Sequence, residues 1–281
     1  MSAVLSARRP RVRHVTGAAL GLALFPALAH ADAWVPPAGG GSADFTLRQF
    51  DATRAFLPNV YGSSTRPASE LRYTMLRITG EHGLGHRLSI EYDLRAARLR
   101  KFTVRHGRRR VSGSTGIEDQ EVGLNIGLTQ RRAFADSIVL NVVAATGSVS
   151  TTPALGTGHT ALEPDFQAGM AAGAWRWSLK AGPRVFVDGG AAQLRAELEA
   201  EARVSRRIEL GATLFYVRTA VLHRPLPSGD RAERYDLLRP GLILKYRIAR
   251  RFKPFIEYER DVAGRAIHAG RRITVGVEYA Y

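Results

Sequence analysis

Apolar and charged residues alternate strictly over residues 193–204, and this alternation constrains the fold more than any other feature of the chain. The even positions are all apolar, namely Leu194, Ala196, Leu198, Ala200, Ala202 and Val204. The odd positions are mostly charged, namely Arg195, Glu197, Glu199, Glu201 and Arg203. On a helix these charges would surround the axis and leave no apolar stripe, although Ala, Leu, Glu and Arg are strong helix formers. On a strand the two sets separate onto opposite faces, so the pattern predicts a strand.

Segments with the same period of two recur along the chain, separated by residues typical of turns. We expect strands near residues 42–51, 71–80, 87–96, 118–129, 137–147, 164–173, 176–188, 192–204, 208–221, 234–248, 253–262 and 271–281. Short turns alternate with longer loops, as in bacterial outer-membrane barrels with both termini in the periplasm. The sequence therefore predicts an all-β fold, an antiparallel transmembrane up-and-down β-barrel of about twelve strands, with ten or fourteen as alternatives.

The first 33 residues have the pattern of a secretory signal peptide. Four arginines come first, namely Arg8, Arg9, Arg11 and Arg13, and an apolar stretch follows at residues 15–28. Small residues then provide cleavage sites after Ala31 or Ala33. We therefore expect residues 34–281 to form a barrel in the outer membrane of a Gram-negative bacterium.

The last strand alternates up to an aromatic final residue. Its apolar positions are Ile273, Val275, Val277, Tyr279 and Tyr281. This arrangement resembles the C-terminal strand that the barrel-assembly machinery recognises, and in a soluble protein such an exposed apolar edge would favour aggregation. We predict that Val277, Tyr279 and Tyr281 form an assembly signal, with the assembly machinery as a partner.

The charged faces of the predicted strands would line the barrel interior. The expected lumen residues are Glu91, Asp93, Arg95, Glu121, Arg176, Lys180, Arg184, Arg195, Glu197, Glu199, Glu201, Arg203, Lys245, Glu257, Glu259 and Glu278. Both signs are present in near balance, which predicts cross-strand ion pairs. Because a barrel of this size is intermediate between filled small barrels and open porins, the lumen is either a narrow polar pore or plugged.

Basic residues are concentrated in one predicted loop, residues 97–117, which contains no acidic residue. They are Arg98, Arg100, Lys101, Arg105, Arg108, Arg109 and Arg110, in a chain with formal net charge +16. On the barrel topology the loop is extracellular, where the available anions are the phosphates of lipopolysaccharide. Nucleic-acid binding would need stacking aromatic residues, and only Phe102 is interleaved. We predict contact with outer-membrane lipid and lipopolysaccharide and none with nucleic acid; the alternative is an arginine-rich solvated loop.

The sequence contains no recognisable catalytic, cofactor or metal site. It has no cysteine, which excludes thiol chemistry and cysteine-based metal sites. His82 and His86 have the spacing of a metal-binding pair on a helix, but Gly83 and Gly85 argue against a helix there. We therefore expect a protein without enzymatic activity, without a cofactor and without a bound metal.

Three segments have residue patterns that resemble those of one family. They are Ala33-Trp34-Val35-Pro36-Pro37-Ala38-Gly39-Gly40-Gly41, Gly83-Leu84-Gly85-His86-Arg87-Leu88 and Val204-Ser205-Arg206-Arg207-Ile208-Glu209-Leu210. They resemble outer-membrane transporter barrels of the phenol-degradation meta-pathway type, over most of residues 34–281. The resemblance implies transport and assigns no role to any residue. We expect a narrow channel or transporter for small solutes. The alternatives are a non-conducting surface barrel for adhesion or envelope structure and, third, an outer-membrane hydrolase.

Overall fold

The computed structural model describes residues 33–58, 60–65, 69–105, 108–187, 192–220 and 235–281. Twelve long strands are β1 (Gly41–Phe56), β3 (Ser69–Gly83), β4 (Leu88–Arg105), β6 (Gln120–Gln130), β7 (Phe134–Ala144), β8 (Ala161–Ala172), β9 (Trp175–Phe186), β10 (Gln193–Arg203), β11 (Ile208–Thr219), β12 (Asp236–Tyr246), β13 (Phe252–Arg260) and β15 (His268–Ala280). Three further strands are β2 (Ser64–Thr65), β5 (Arg108–Ile117) and β14 (Ala263–Arg265). Among the described residues, no helix has the length and apolar character needed to cross a membrane. The predicted signal peptide lies outside the described residues, apart from Ala33.

The twelve long strands form one closed antiparallel barrel. Neighbours pair in the order β11-β10-β9-β8-β7-β6-β4-β3-β1-β15-β13-β12, and β11 also pairs with β12, which closes the sheet. The first and last strands are neighbours, with Ser42 opposite Ala280 and Phe50 opposite Arg272. Each predicted strand corresponds to one of these twelve, so the predicted fold is confirmed.

Strand β10 confirms that the period of two outweighs helix propensity in this segment. Leu198 is 41% exposed on the outer face, whereas Glu201 is 7% exposed on the inner one. The same division holds around the barrel, where exposed apolar side chains such as Phe45, Leu47 and Leu242 form an outer belt. A belt of this kind is the lipid-facing surface of a transmembrane barrel.

Four prolines stand inside the described strands, where they cannot donate to the ladder, namely Pro164, Pro183, Pro240 and Pro254. Pro183 of β9 and Pro240 of β12 have outward parity and face Leu194 and Leu214. Between β8 and β9 the ladder is interrupted at residues 163–165, between the paired residues Leu162 and Phe166. Gly182 keeps the two strands close there, because a Cβ at this position would collide with the Pro164 carbonyl oxygen. The wall therefore stays continuous at the interruption.

The predicted loop at residues 97–117 is wrong, because most of this segment is a hairpin. Strand β4 continues to Arg105 and pairs with β5, from Ala96 opposite Ile117 to Arg105 opposite Arg108. Phe102, Thr103 and Val111 are residue types that favour strands, and outside the lipid belt their hairpin needs no apolar face. The barrel wall therefore extends beyond the belt on this side.

Candidate functional site

The structure places the predicted lumen residues on the inward face of the strands and joins most of them in ion-pair groups. Arg176 lies near the opening where the termini are, with its guanidinium 4.9 Å from the centroid of the Trp34 ring. Glu197 has the most exposed side chain of the inward acids in these pairs, at 44%. Glu257 and Glu259 pair with Arg48, and the other predicted residues form a bridge, two chains of pairs and one packed cluster.

A bridge crosses the lumen between β9 and β4. The Lys180 ammonium lies 3.2 Å from the Glu91 carboxylate and 3.8 Å from that of Asp165. Gln167 also donates its side-chain amide to Glu91, at 3.2 Å. Three strands separate β4 from β9 around the wall, so this contact crosses the barrel interior and narrows the lumen.

Two chains of ion pairs follow the wall on either side of the bridge. Asp93 accepts two bonds from Arg77, at 2.9 and 2.8 Å, and two from Arg95, whose guanidinium also reaches Glu121 at 3.2 Å. On the other side, Glu163 holds Arg184 and Arg195. Arg195 also reaches Glu197 at 3.5 Å. Bidentate pairs of this kind fix the orientation of the arginine side chains.

A packed cluster fills the interior where β10–β13 meet β15, and we call it the lysine cluster. Its core is Lys245, which contacts Glu201, Glu199 at 3.5 Å and Glu278 at 3.8 Å. Lys253 lies 3.0 Å from Glu278 and 3.6 Å from Glu209, which also holds Arg247 and lies 3.7 Å from Arg203. Lys245 and Lys253 are 1% and 2% exposed, so the centre of the cluster is buried.

A cavity of about 600 Å³ lies in the interior beside these groups. Its wall includes the bridge, the Asp93 chain, Glu197, Glu257 and Glu259. Aromatic rings line it as well: Arg272 lies over Phe50 at 4.8 Å and Arg239 over Phe215 at 4.9 Å. The cavity therefore combines a charged wall with a few apolar surfaces.

Some residues that line the cavity were not among the lumen residues predicted from the sequence. They include Asp44 and Arg48 of β1, Arg77 of β3, and Arg239 of β12. Arg48 lies 3.9 and 3.8 Å from Glu257 and Glu259, two residues that were predicted. The signal was present, because Asp44, Thr46 and Arg48 alternate with Phe45 and Leu47. The alternating run is short there, so the inward residues were not recognised among the neighbouring turn residues.

The segment before β1, residues 33–40, crosses the opening of the barrel at the termini. The Trp34 indole donates to the Arg131 carbonyl at 2.8 Å, and its ring packs on Gly169, where a Cβ would collide with it. At the other side of the opening, the Gly39 amide donates to the Gly83 carbonyl at 2.9 Å. We call residues 33–40 the strap, and it narrows this opening.

The basic residues of the predicted loop fall into separate groups on the hairpin. Arg98 and Arg100 are exposed on the outer face, whereas Lys101 has inward parity. Residues 108–110 stand at the start of β5, next to the tip. The side chain of Arg105 lies outside the described set.

The predicted assembly residues lie on the outer face at the other end of the barrel. Tyr279 packs against Phe252 at 5.0 Å between ring centroids and against Tyr281 at 6.0 Å. Tyr281 also stacks on His82 at 5.9 Å. These rings form part of an aromatic girdle, and recognition by the assembly machinery stays a prediction.

The described residues contain no group of three or more histidines or acids placed to hold a metal ion. No family model and no curated protein matches the sequence. Solved structures do match the fold. An outer-membrane channel from Pseudomonas putida F1 has a TM-score of 0.66 at 14% identity, covering 89% of this chain and 98% of that one.

Two further structures are more distant. The NanC porin has a TM-score of 0.51 at 8% identity, covering 84% of this chain and 98% of its own. The translocator domain of the autotransporter NalP from Neisseria meningitidis has a TM-score of 0.53 at 12% identity, covering 86% of this chain and 88% of its own. At these identities the likeness establishes the fold, a barrel of the outer-membrane type.

Proposed function

We propose that the protein is a narrow channel in the bacterial outer membrane for small solutes, without enzymatic activity. The observation that carries the proposal is the cavity of about 600 Å³, walled by charged side chains. Charged groups in a cavity need water or each other as partners, so water would enter this cavity wherever the ion pairs do not satisfy every charged group. A wet lumen inside a lipid-facing barrel can conduct ions.

The wall favours cations. Among the described residues that line the cavity, ten are acidic and seven are basic. Rings of carboxylates attract cations and repel anions at the narrow part of a pore. We therefore expect a modest cation preference, set by Glu197 and Glu257 and limited by the Lys180 bridge.

The test is single-channel recording in planar bilayers, and Lys180→Ala should raise the conductance, because it removes the bridge across the lumen. Arg206→Ala is the matched control: it also removes one positive charge, from an exposed turn outside the cavity. Silent bilayers, with folded and heat-modifiable protein confirmed on a gel, would reject the channel. Hydrolysis of lipids or peptides by the same preparation would overturn the non-enzymatic assignment.

The cavity rings also support the finer proposal of transport of the phenol-degradation type. Phe50 and Phe215 line the cavity with guanidinium groups over their rings, and this combination of aromatic carbon and positive charge would suit small aromatic solutes. If such solutes enter, phenol should reduce the ionic current of the wild type, and Phe50→Ala with Phe215→Ala should weaken this block. An equal block in both proteins would remove the aromatic class from the proposal.

A second candidate, the non-conducting surface barrel, is favoured by the lysine cluster and the strap. Both fill space that a porin leaves open. If the cavity does not connect through the strap, the bilayer remains silent even for Lys180→Ala, and a role in adhesion or envelope structure becomes the better assignment.

A further inference from the structure

Arginines occupy one register row on the outer face, at the end of the barrel away from the termini. In this row Arg260 of β13 is opposite Arg271 of β15, and Arg72 of β3 is opposite Arg100 of β4. Asp51 of β1 connects the two pairs, because it is opposite both Arg271 and Arg72. All four arginines are exposed, and we call them the arginine row.

The row places like charges directly against each other. Directly opposite residues on neighbouring strands have Cβ atoms about 4.5–5.5 Å apart, and like charges there are destabilising. Asp51 lies 3.6 Å from Arg72 and offsets part of the charge. Yet Arg109 adds to it, since the guanidinium groups of Arg72 and Arg109 lie 5.3 and 4.5 Å from the same Phe102 ring. A surface built in this way favours a bound anion.

The position of the row indicates which anion that is. Directly below it the outer face becomes apolar, with Ile273 on β15 and Tyr258 on β13, followed by Leu76 on β3 and Leu94 on β4. Arg98 lies between the row and this apolar surface on β4. Two residues along a strand cover about 6.6 Å, so the guanidinium groups reach the level where acyl chains meet head groups.

We propose that the arginine row, together with Arg98, binds the phosphate groups of lipid A in the outer leaflet. Guanidinium groups match phosphate oxygens in pairs, and one phosphate between two opposite arginines would relieve their repulsion. The acyl chains of the same lipid would lie on the apolar surface below. This inference concerns the outer wall and is independent of conduction through the lumen.

The test is binding of purified lipid A to the detergent-solubilised barrel, measured by native mass spectrometry and by the shift in its thermal unfolding. The row variant is Arg72→Gln, Arg100→Gln, Arg260→Gln and Arg271→Gln. The matched control removes four exposed arginines at the opposite end, namely Arg132→Gln, Arg206→Gln, Arg250→Gln and Arg251→Gln. We expect the row variant to bind lipid A at least about tenfold more weakly, and the control within about twofold of the wild type.

Two further ligands separate the sources of phosphate. Dephosphorylated lipid A should bind the wild type as weakly as lipid A binds the row variant, and inorganic phosphate alone should not shift the unfolding temperature. Equal binding of the phosphorylated and dephosphorylated lipids would overturn the proposal in favour of apolar contact alone. A full shift by inorganic phosphate would show a free-anion site instead.

A smaller variant keeps the test decisive if the quadruple one does not fold. Arg100→Gln with Arg271→Gln removes one member of each opposed pair. In detergent without lipid A it should be at least as stable as the wild type, because the repulsion is gone, yet it should gain less stability from lipid A. An equal gain in both proteins would contradict the proposal.

Discussion

The lysine cluster and the cavity wall contain the same kinds of charged residue, but they differ in how far these residues are buried. In the cluster, Lys245 contacts three carboxylates and is 1% exposed. In the cavity, Lys180 also contacts carboxylates, but its side chain is 17% exposed beside open space. Burial, and not charge, separates the two regions.

The difference in burial indicates which ion pairs stabilise the barrel and which influence conduction through the cavity. A buried charge that loses its partners is very costly, so removal of the central Lys245 from the lysine cluster would strongly destabilise the barrel. A pair beside water can separate at small cost, because water replaces the partner. The cavity pairs are therefore the ones free to tune conduction.

The largest expected effect is on the lysine cluster. Lys245→Met would leave Glu199, Glu201 and Glu278 facing each other and should cost about 3–5 kcal/mol of unfolding free energy. Lys180→Met should cost on the order of 1 kcal/mol. Urea unfolding in detergent measures both, and equal losses would show that burial does not separate the two regions.

The next effect tests the outer face of β10. Leu198→Arg should cost about 2–4 kcal/mol near the bilayer midplane. Glu199→Ala should cost much less, because Lys245 keeps Glu201 and Glu278. The measurement is the unfolding free energy in lipid vesicles, and equal costs at 198 and 199 would contradict the facing of this strand.

A smaller effect is expected at the strap. Trp34→Ala removes the hydrogen bond to the Arg131 carbonyl and the packing on Gly169, and should lower stability by no more than about 1–2 kcal/mol. The strap would then cover the opening less tightly, so conductance should rise and current fluctuations increase. An unchanged conductance would mean that the strap does not lie on the ion path.

The smallest effect is expected at the hairpin tip. Replacing Arg108, Arg109 and Arg110 by Gln should leave assembly intact and weaken lipopolysaccharide binding by about twofold or less, because exposed charges are screened by salt. A larger loss than in the arginine-row variant would move the binding surface to the tip.

Periodicity predicted the fold because one side of every strand faces lipid. The alternation in residues 193–204 could therefore be interpreted without knowing any neighbour. The division of the interior into cavity and cluster could not be predicted, because it depends on contacts between strands that are not adjacent. Glu199 and Glu201, for example, find Lys245 two strands away, whereas the sequence shows only Arg195 and Arg203 beside them.

The hairpin and the arginine row were hidden for a related reason. Arg72 is far from Arg260 and Arg271 in sequence, and the strands bring them into one row only through register. The basic segment at residues 97–117 was predicted to bind anions because its positive charges are close together in sequence. Its outward arginines, Arg98 and Arg100, gain their significance from partners on β3 and from the apolar surface below.

Ion selectivity tests the central claim, a wet cavity whose wall sets conduction, most directly. The reversal potential is measured across planar bilayers in a potassium chloride gradient. The wild type should prefer cations, and Glu197→Gln with Glu257→Gln should shift the preference toward anions. The control, Asp51→Asn with Glu70→Gln, removes the same charge from the outer face and should leave selectivity nearly unchanged. An unshifted potential in the cavity variant, or an equal shift in the control, would contradict the account.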